Sequence, residues 1–84
     1  LNAYGALPQL SADDPLEFDQ KTRELKATGR AELIHDSFHM EADEIRFSQE
    51  KGMVFGDNNV KIIAFNFRAL SDDVQYDTLT QTLY

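Results

Sequence analysis

One six-residue pattern returns along this chain at a constant spacing. A constant spacing of this size marks a repeat architecture and constrains the fold more than any single motif does. Asp13-Asp14-Pro15-Leu16-Glu17-Phe18, Ala42-Asp43-Glu44-Ile45-Arg46-Phe47 and Ser71-Asp72-Asp73-Val74-Gln75-Tyr76 start 29 residues apart. Each copy holds an aspartate (Asp14, Asp43, Asp72), then an aliphatic residue (Leu16, Ile45, Val74), then an aromatic one (Phe18, Phe47, Tyr76). The register continues outside the six residues. Leu25, Val54 and Leu83 align, Ala31 and Leu33 match Val60 and Ile62, and Phe38 and Met40 match Phe67 and Ala69. Units of this kind stack on their neighbours and build an extended surface rather than a single catalytic pocket.

The units read as strands. Phe38-His39-Met40, Ile45-Arg46-Phe47, Val60-Lys61-Ile62 and Val74-Gln75-Tyr76 alternate apolar with polar, the period of a half-buried strand. Gln49-Glu50-Lys51-Gly52 has the length of a hairpin loop with a left-handed glycine. Thr28-Gly29-Arg30 and Gly56-Asp57-Asn58-Asn59 read as further junctions, and Asp36-Ser37 and Asn66 as corners. The expectation is seven or eight short strands. Asp13 or Asp14 followed by Pro15 would suit the start of a helix over Leu16–Lys26, but this stretch aligns with two strand units. Residues 1–11, with Gly5 and Pro8, read as an irregular lead-in to a single domain over 12–84. Strands with one apolar face must turn those faces toward each other. The fold class that follows is all-β: a sandwich, a jelly roll or a flattened solenoid, with open edges at both ends. The inward set is Leu16, Phe18, Leu33, Phe38, Met40, Ile45, Phe47, Val54, Val60, Ile62, Phe67, Val74 and Tyr76.

Composition removes several functions. Eight basic against fifteen acidic residues leave a net charge of −7, which opposes binding to nucleic acid or to an anionic membrane surface. The chain has no cysteine, so it has neither a disulfide framework nor thiolate metal ligands. No apolar run is long enough to span a bilayer as a helix. His35 and His39 stand four apart, about 13 Å along a strand at roughly 3.3 Å per residue, with a corner between them; they read as polar residues at strand ends rather than as a shared metal site. The recurring aspartates read as corner residues accepting backbone N–H bonds. No motif supports a Ser/His/Asp or Cys/His site, so the chain reads as non-catalytic and without a cofactor.

The strand Ala42-Asp43-Glu44-Ile45-Arg46-Phe47, its glycine-containing turn and the following Val54-Phe55-Gly56-Asp57-Asn58-Asn59-Val60-Lys61-Ile62 resemble the OstA-like domain. Leu25-Lys26-Ala27-Thr28-Gly29-Arg30-Ala31-Glu32-Leu33 does so as well. That domain belongs to the LptA, LptC and LptD lipopolysaccharide-transport family. The resemblance covers about residues 12–84, and its motifs are short and degenerate. Asn58 stands where the first unit has Gly29, and family modules are usually longer than this chain, which fits a truncated piece, a short variant or one domain of a larger protein. The resemblance implies an open antiparallel β-jellyroll in the periplasm of the Gram-negative envelope. Its apolar trough, lined by the inward set, would hold the acyl chains of lipopolysaccharide, and its edges would stack on similar domains or on a second copy. A repeat module that assembles edge to edge without lipid is the alternative, and a polysaccharide-cleaving β-solenoid enzyme ranks third.

Overall fold

The computed structural model describes residues 8–64 and 67–84, with Phe67 described in its backbone only. Among the described residues seven strands form one antiparallel sheet: β1 (Gln9–Ser11), β2 (Glu17–Asp19), β3 (Glu24–His35), β4 (Phe38–Ser48), β5 (Met53–Ala64), β6 (Phe67–Asp77) and β7 (Thr82–Leu83). The sheet order is β1-β3-β4-β5-β6-β7, with β2 also pairing β3, so β1 and β2 are two pieces of one edge. Among the described residues there is no helix; Glu17–Asp19 and Glu24–His35, inside the stretch that might have been helical, are strands. The fold is therefore all-β and open. Among the described residues strand pairing begins at Gln9, so the end of the expected lead-in, Gln9–Ser11, is an edge strand.

Four strands are longer than expected, at 11 or 12 residues each. The reason lies at Thr28-Gly29-Arg30 and Gly56-Asp57-Asn58-Asn59, which are bulges inside β3 and β5 and not junctions between strands. The pairing register shifts between Thr28 and Ala31 and again between Asp57 and Val60. The extra residues are left-handed: Gly29 (φ 83°) and Arg30 (φ 48°), then Asn58 (φ 66°) and Asn59 (φ 54°). Glycine and asparagine take this conformation at low steric cost, and a bulge raises local bend and twist. The exposed Arg30 is tethered to Asp13 at 2.7 Å.

The hairpin turns share one construction. Arg23 (φ 59°), Gly52 (φ 69°) and Gln81 (φ 57°) are left-handed and fall 29 residues apart. Upstream of each stands an acceptor at the same spacing. Asp19 accepts from the N–H groups of Lys21 and Thr22, Ser48 from Lys51, and Asp77 from Leu79 and Thr80. These residues, rather than the recurring aspartates, bond the turn amides. Asp43 instead accepts from the side-chain amide of Asn59 at 2.8 Å, and the Asp14 carboxylate lies across from Gly29, where an added Cβ would be 3.1 Å away. Both sit at bulges.

Cross-strand partners share a face, and two apolar rows run across the sheet. One links Phe18, Leu25, Phe47, Val54, Tyr76 and Leu83; the other links Leu10, Leu33, Met40, Ile62 and Ala69. The rows lie toward opposite ends of the strands, yet their buried members belong to one core cluster. Met40 pairs with Ile62, six residues from Gly56 along β5, about 20 Å away at roughly 3.3 Å per residue in a flat sheet. A Cβ on Gly56 would nevertheless lie 2.7 Å from the Met40 sulfur. Phe38, at the start of β4, stacks on Tyr76, near the end of β6, with centroids 3.8 Å apart and planes 4° apart. Asp36 and Gln81, from turns at opposite ends, meet at 3.2 Å. The strands bend at their bulges, so the two halves of the sheet fold over one core.

That core contains Leu33, Phe38, Met40, Ile45, Phe47, Val54, Val60, Ile62, Val74 and Tyr76, together with Ala27, Ala31 and Ala42. Leu33, Met40, Ile45, Val54, Val60 and Ile62 are at most 1% exposed. Burying each large apolar side chain contributes about 1.5–3 kcal/mol. The outer face is charged. Arg46 lies 3.2 Å from Asp57 and 3.7 Å from Glu24, with its guanidinium over the Phe55 ring.

Candidate functional site

Ten of the thirteen residues expected to face inward are in the core, brought together by the folded-over sheet. Two are not buried. Leu16 is 42% exposed and Phe18 is 52% exposed. Phe18 pairs with Leu25 and so belongs to an apolar row, but β2 is the last strand on that side and nothing described lies beyond it. Leu16 falls just before the Glu17–Lys26 pairing, next to Pro15, which has no N–H to give a ladder. Phe67 has its backbone in β6, and its side chain lies outside the described residues, as does Asn66.

Two of the exposed apolar residues, Leu16 and Leu79, meet in a hollow. Leu16 lines a hollow of about 340 Å³ with Pro8, Leu10, Leu25, Phe47 and Leu79. This volume is at the lower end of the roughly 300–1,000 Å³ typical of small-ligand sites. Four parts of the fold supply its walls: the β1 edge, the connector before β2, the adjoining ends of β3 and β4, and the two hairpin turns near Gly52 and Leu79. Those turns are tied together. Thr78 donates from its N–H (2.8 Å) and its hydroxyl (2.7 Å) to the Gly52 carbonyl. Gly52 is left-handed at φ +69°, and a Cβ there would lie 2.8 Å from Cγ of the exposed Leu79, which would have to shift. Leu10 packs against the core and Phe47 belongs to it. The hollow is thus the mouth of the apolar interior. Leu25 stands in the aligned set with Val54 and Leu83, so it was recoverable from the repeat; Leu10 and Leu79 were not, because they reach the mouth through tertiary folding.

Inside, the polar groups are paired. His35 is buried, with Nδ1 3.2 Å from the Tyr76 hydroxyl. Burial pushes the Tyr76 phenol above its ordinary pKa, and the negative charges of Asp36 and Asp77 add to this. His39 lies on the outer face, with Nε2 2.7 Å from Glu32 and 3.5 Å from Glu41. The two histidines occupy opposite faces of the sheet and do not meet.

These features define an open antiparallel β-sheet protein, folded over an apolar interior and exposing an apolar mouth at one end. The chain is similar in structure to LptH of Pseudomonas aeruginosa, described as the LptA-homologous periplasmic component of the lipopolysaccharide transport device, with a TM-score of 0.47 and 13% identity over 93% of this chain and 80% of that one. No family model matches the chain, and no curated protein matches its sequence.

Proposed function

We propose that this chain is a periplasmic lipopolysaccharide-transport module of the OstA-like kind, which takes acyl chains at the mouth lined by Leu10, Leu16, Leu25, Phe47 and Leu79. The observation that carries the proposal is the continuity of that mouth with the core through Leu10 and Phe47. Moving acyl methylenes from water to an apolar wall contributes about 0.8 kcal/mol each, without any cationic anchor. A chain of net charge −7 is poorly suited to seize an anionic head group, which favours holding the lipid by its tails. The deeper lining, Leu33, Phe38, Met40, Ile45, Val54, Val60, Ile62, Val74 and Tyr76, is closely packed at rest. It meets the lipid when the two halves of the sheet spread.

The edge of β6 supports a role in stacking. β7 covers only Tyr76 and Asp77, which leaves Arg68–Val74 without a strand on the side away from β5 among the described residues. An unpaired edge accepts a strand from a second copy or a similar domain. Photocrosslinking separates transport from assembly alone. A photoreactive residue at Leu16 or Phe47 is expected to capture lipopolysaccharide, and one at the outer-face Leu70 is not. Oligomers that grow with concentration and give no lipid adduct at either mouth position would favour a structural assembly module and refute the transport reading.

A further inference from the structure

The outer face of the β3–β4 pair carries three side chains whose ligand atoms all lie within 4.8 Å of one another: Glu32, His39 and Glu41. Their placement follows from register. Glu32 is directly opposite Glu41, and His39 is two residues from Glu41 on the same strand face. His39 Nε2 is hydrogen-bonded to Glu32 Oε2 at 2.7 Å and lies 3.5 Å from Glu41 Oε2. Like charges placed directly opposite across two strands destabilise a sheet. The repeat does not demand this set. One period later the same positions hold Lys61, Arg68 and Leu70, with Lys61 opposite Leu70 in the same register.

From this arrangement we propose that Glu32, His39 and Glu41 bind one divalent transition-metal ion of the zinc class. A zinc ion takes nitrogen and oxygen ligands at about 2.0–2.2 Å, which places neighbouring ligand atoms roughly 3.3 Å apart in a tetrahedron. The distances of 2.7 and 3.5 Å bracket that value, so small side-chain adjustments admit the ion. The donors are one imidazole and two carboxylates, a set that suits zinc and its first-row neighbours better than magnesium or calcium. Side chains 30–47% exposed leave a coordination position for water. Glu32 and Glu41 also border a hollow of about 490 Å³ that is lined by Asp13 and Asp43 as well. Asp13 is paired with Arg30 and Asp43 takes the Asn59 amide, so Glu32 and Glu41 supply the ligands. Lys61 is the registered neighbour of Glu41 on β5, and as the exposed cation nearest in register it can swing away as the ion arrives.

The test is zinc titration of the whole chain, read by calorimetry and by nitrogen-15 resonances of the two imidazoles. One zinc per chain is expected, with His39 Nε2 shifted and the buried His35 unchanged. His39→Ala, Glu32→Gln and Glu41→Gln should each weaken zinc by about tenfold or more, since losing even an outer-shell partner of a ligand costs about 10–100-fold. Strand circular dichroism should be unchanged, since these side chains lie outside the core. Millimolar zinc that leaves the His39 resonances in place, undiminished zinc binding by His39→Ala, or equal binding of magnesium would each overturn the assignment.

Discussion

Met40 and Gly56 report whether the sheet folds over on itself, and a double-mutant cycle between them measures it. Gly56→Ala places a methyl group 2.7 Å from the Met40 sulfur and 3.3 Å from both Val60 γ-carbons. Something must move, and because Met40 is fully buried it cannot swing into solvent. Overpacking of this kind costs about 1–3 kcal/mol. Met40→Ala removes the sulfur and leaves a cavity, at about 2–5 kcal/mol. The double variant has no sulfur in the path of the new methyl, so it should be less destabilised than the two losses added, with a coupling of about 1 kcal/mol or more. The assay is urea denaturation of the four proteins at equilibrium, with the slopes compared to confirm that the unfolded states are alike. In a flat sheet these sites would be about 20 Å apart, and sites beyond 7–10 Å add to within roughly 0.5 kcal/mol. Additivity at that level would refute the folded-over arrangement.

Ile62, at 1% exposure, lies among Met40 and Ala69 in its apolar row, and Ile62→Glu should cost several kcal/mol as an unpaired buried charge; a cooperative melt near the wild-type temperature would contradict that placement. Tyr76 is an acid whose folded pKa is raised, so its contribution to stability is fully present below the unfolded value of about 10 and is lost as pH rises through the folded value. Alkaline titration of stability should therefore show a loss in the wild type that is smaller in Tyr76→Phe, and equal slopes above pH 10 would count against a buried phenol. Asp19→Ala and Asp77→Ala each remove an acceptor for two turn amides, and each should cost about 0.5–1.5 kcal/mol by thermal unfolding; unequal effects, with one near zero, would show that the two turns are not built alike.

The period of 29 and the alternation at Ile45-Arg46-Phe47 and Val60-Lys61-Ile62 were enough to place the core, because burial in a sheet follows strand parity. Gly52 was legible as a left-handed turn residue. The bulges were misread as junctions, since Gly29 and Asn58 carry the same backbone signature in a bulge as in a turn, and only the pairing partner distinguishes them. Leu16 and Phe18 have the right parity but sit at the sheet edge, where burial depends on what lies alongside and not on the residue itself. The mouth needed tertiary structure, because Leu10 and Leu79 come from opposite ends of the chain. The Glu32–His39–Glu41 group was hidden for a related reason: attention to the His35–His39 spacing along one chain misses a cross-strand partner. A scan for His-x-Glu on a strand, paired with an acid on its neighbour, would have found it.

The measurement that bears most directly on the proposed role is methyl NMR of the leucines during addition of a lipid A analogue, beside a deacylated sugar control. The account predicts that Leu10, Leu16, Leu25 and Leu79 shift with the acylated lipid alone, while Leu70 on the outer face stays in place. Shifts confined to Leu70, no shift at the mouth, or the same mouth shifts with the deacylated sugar would contradict binding by the acyl chains.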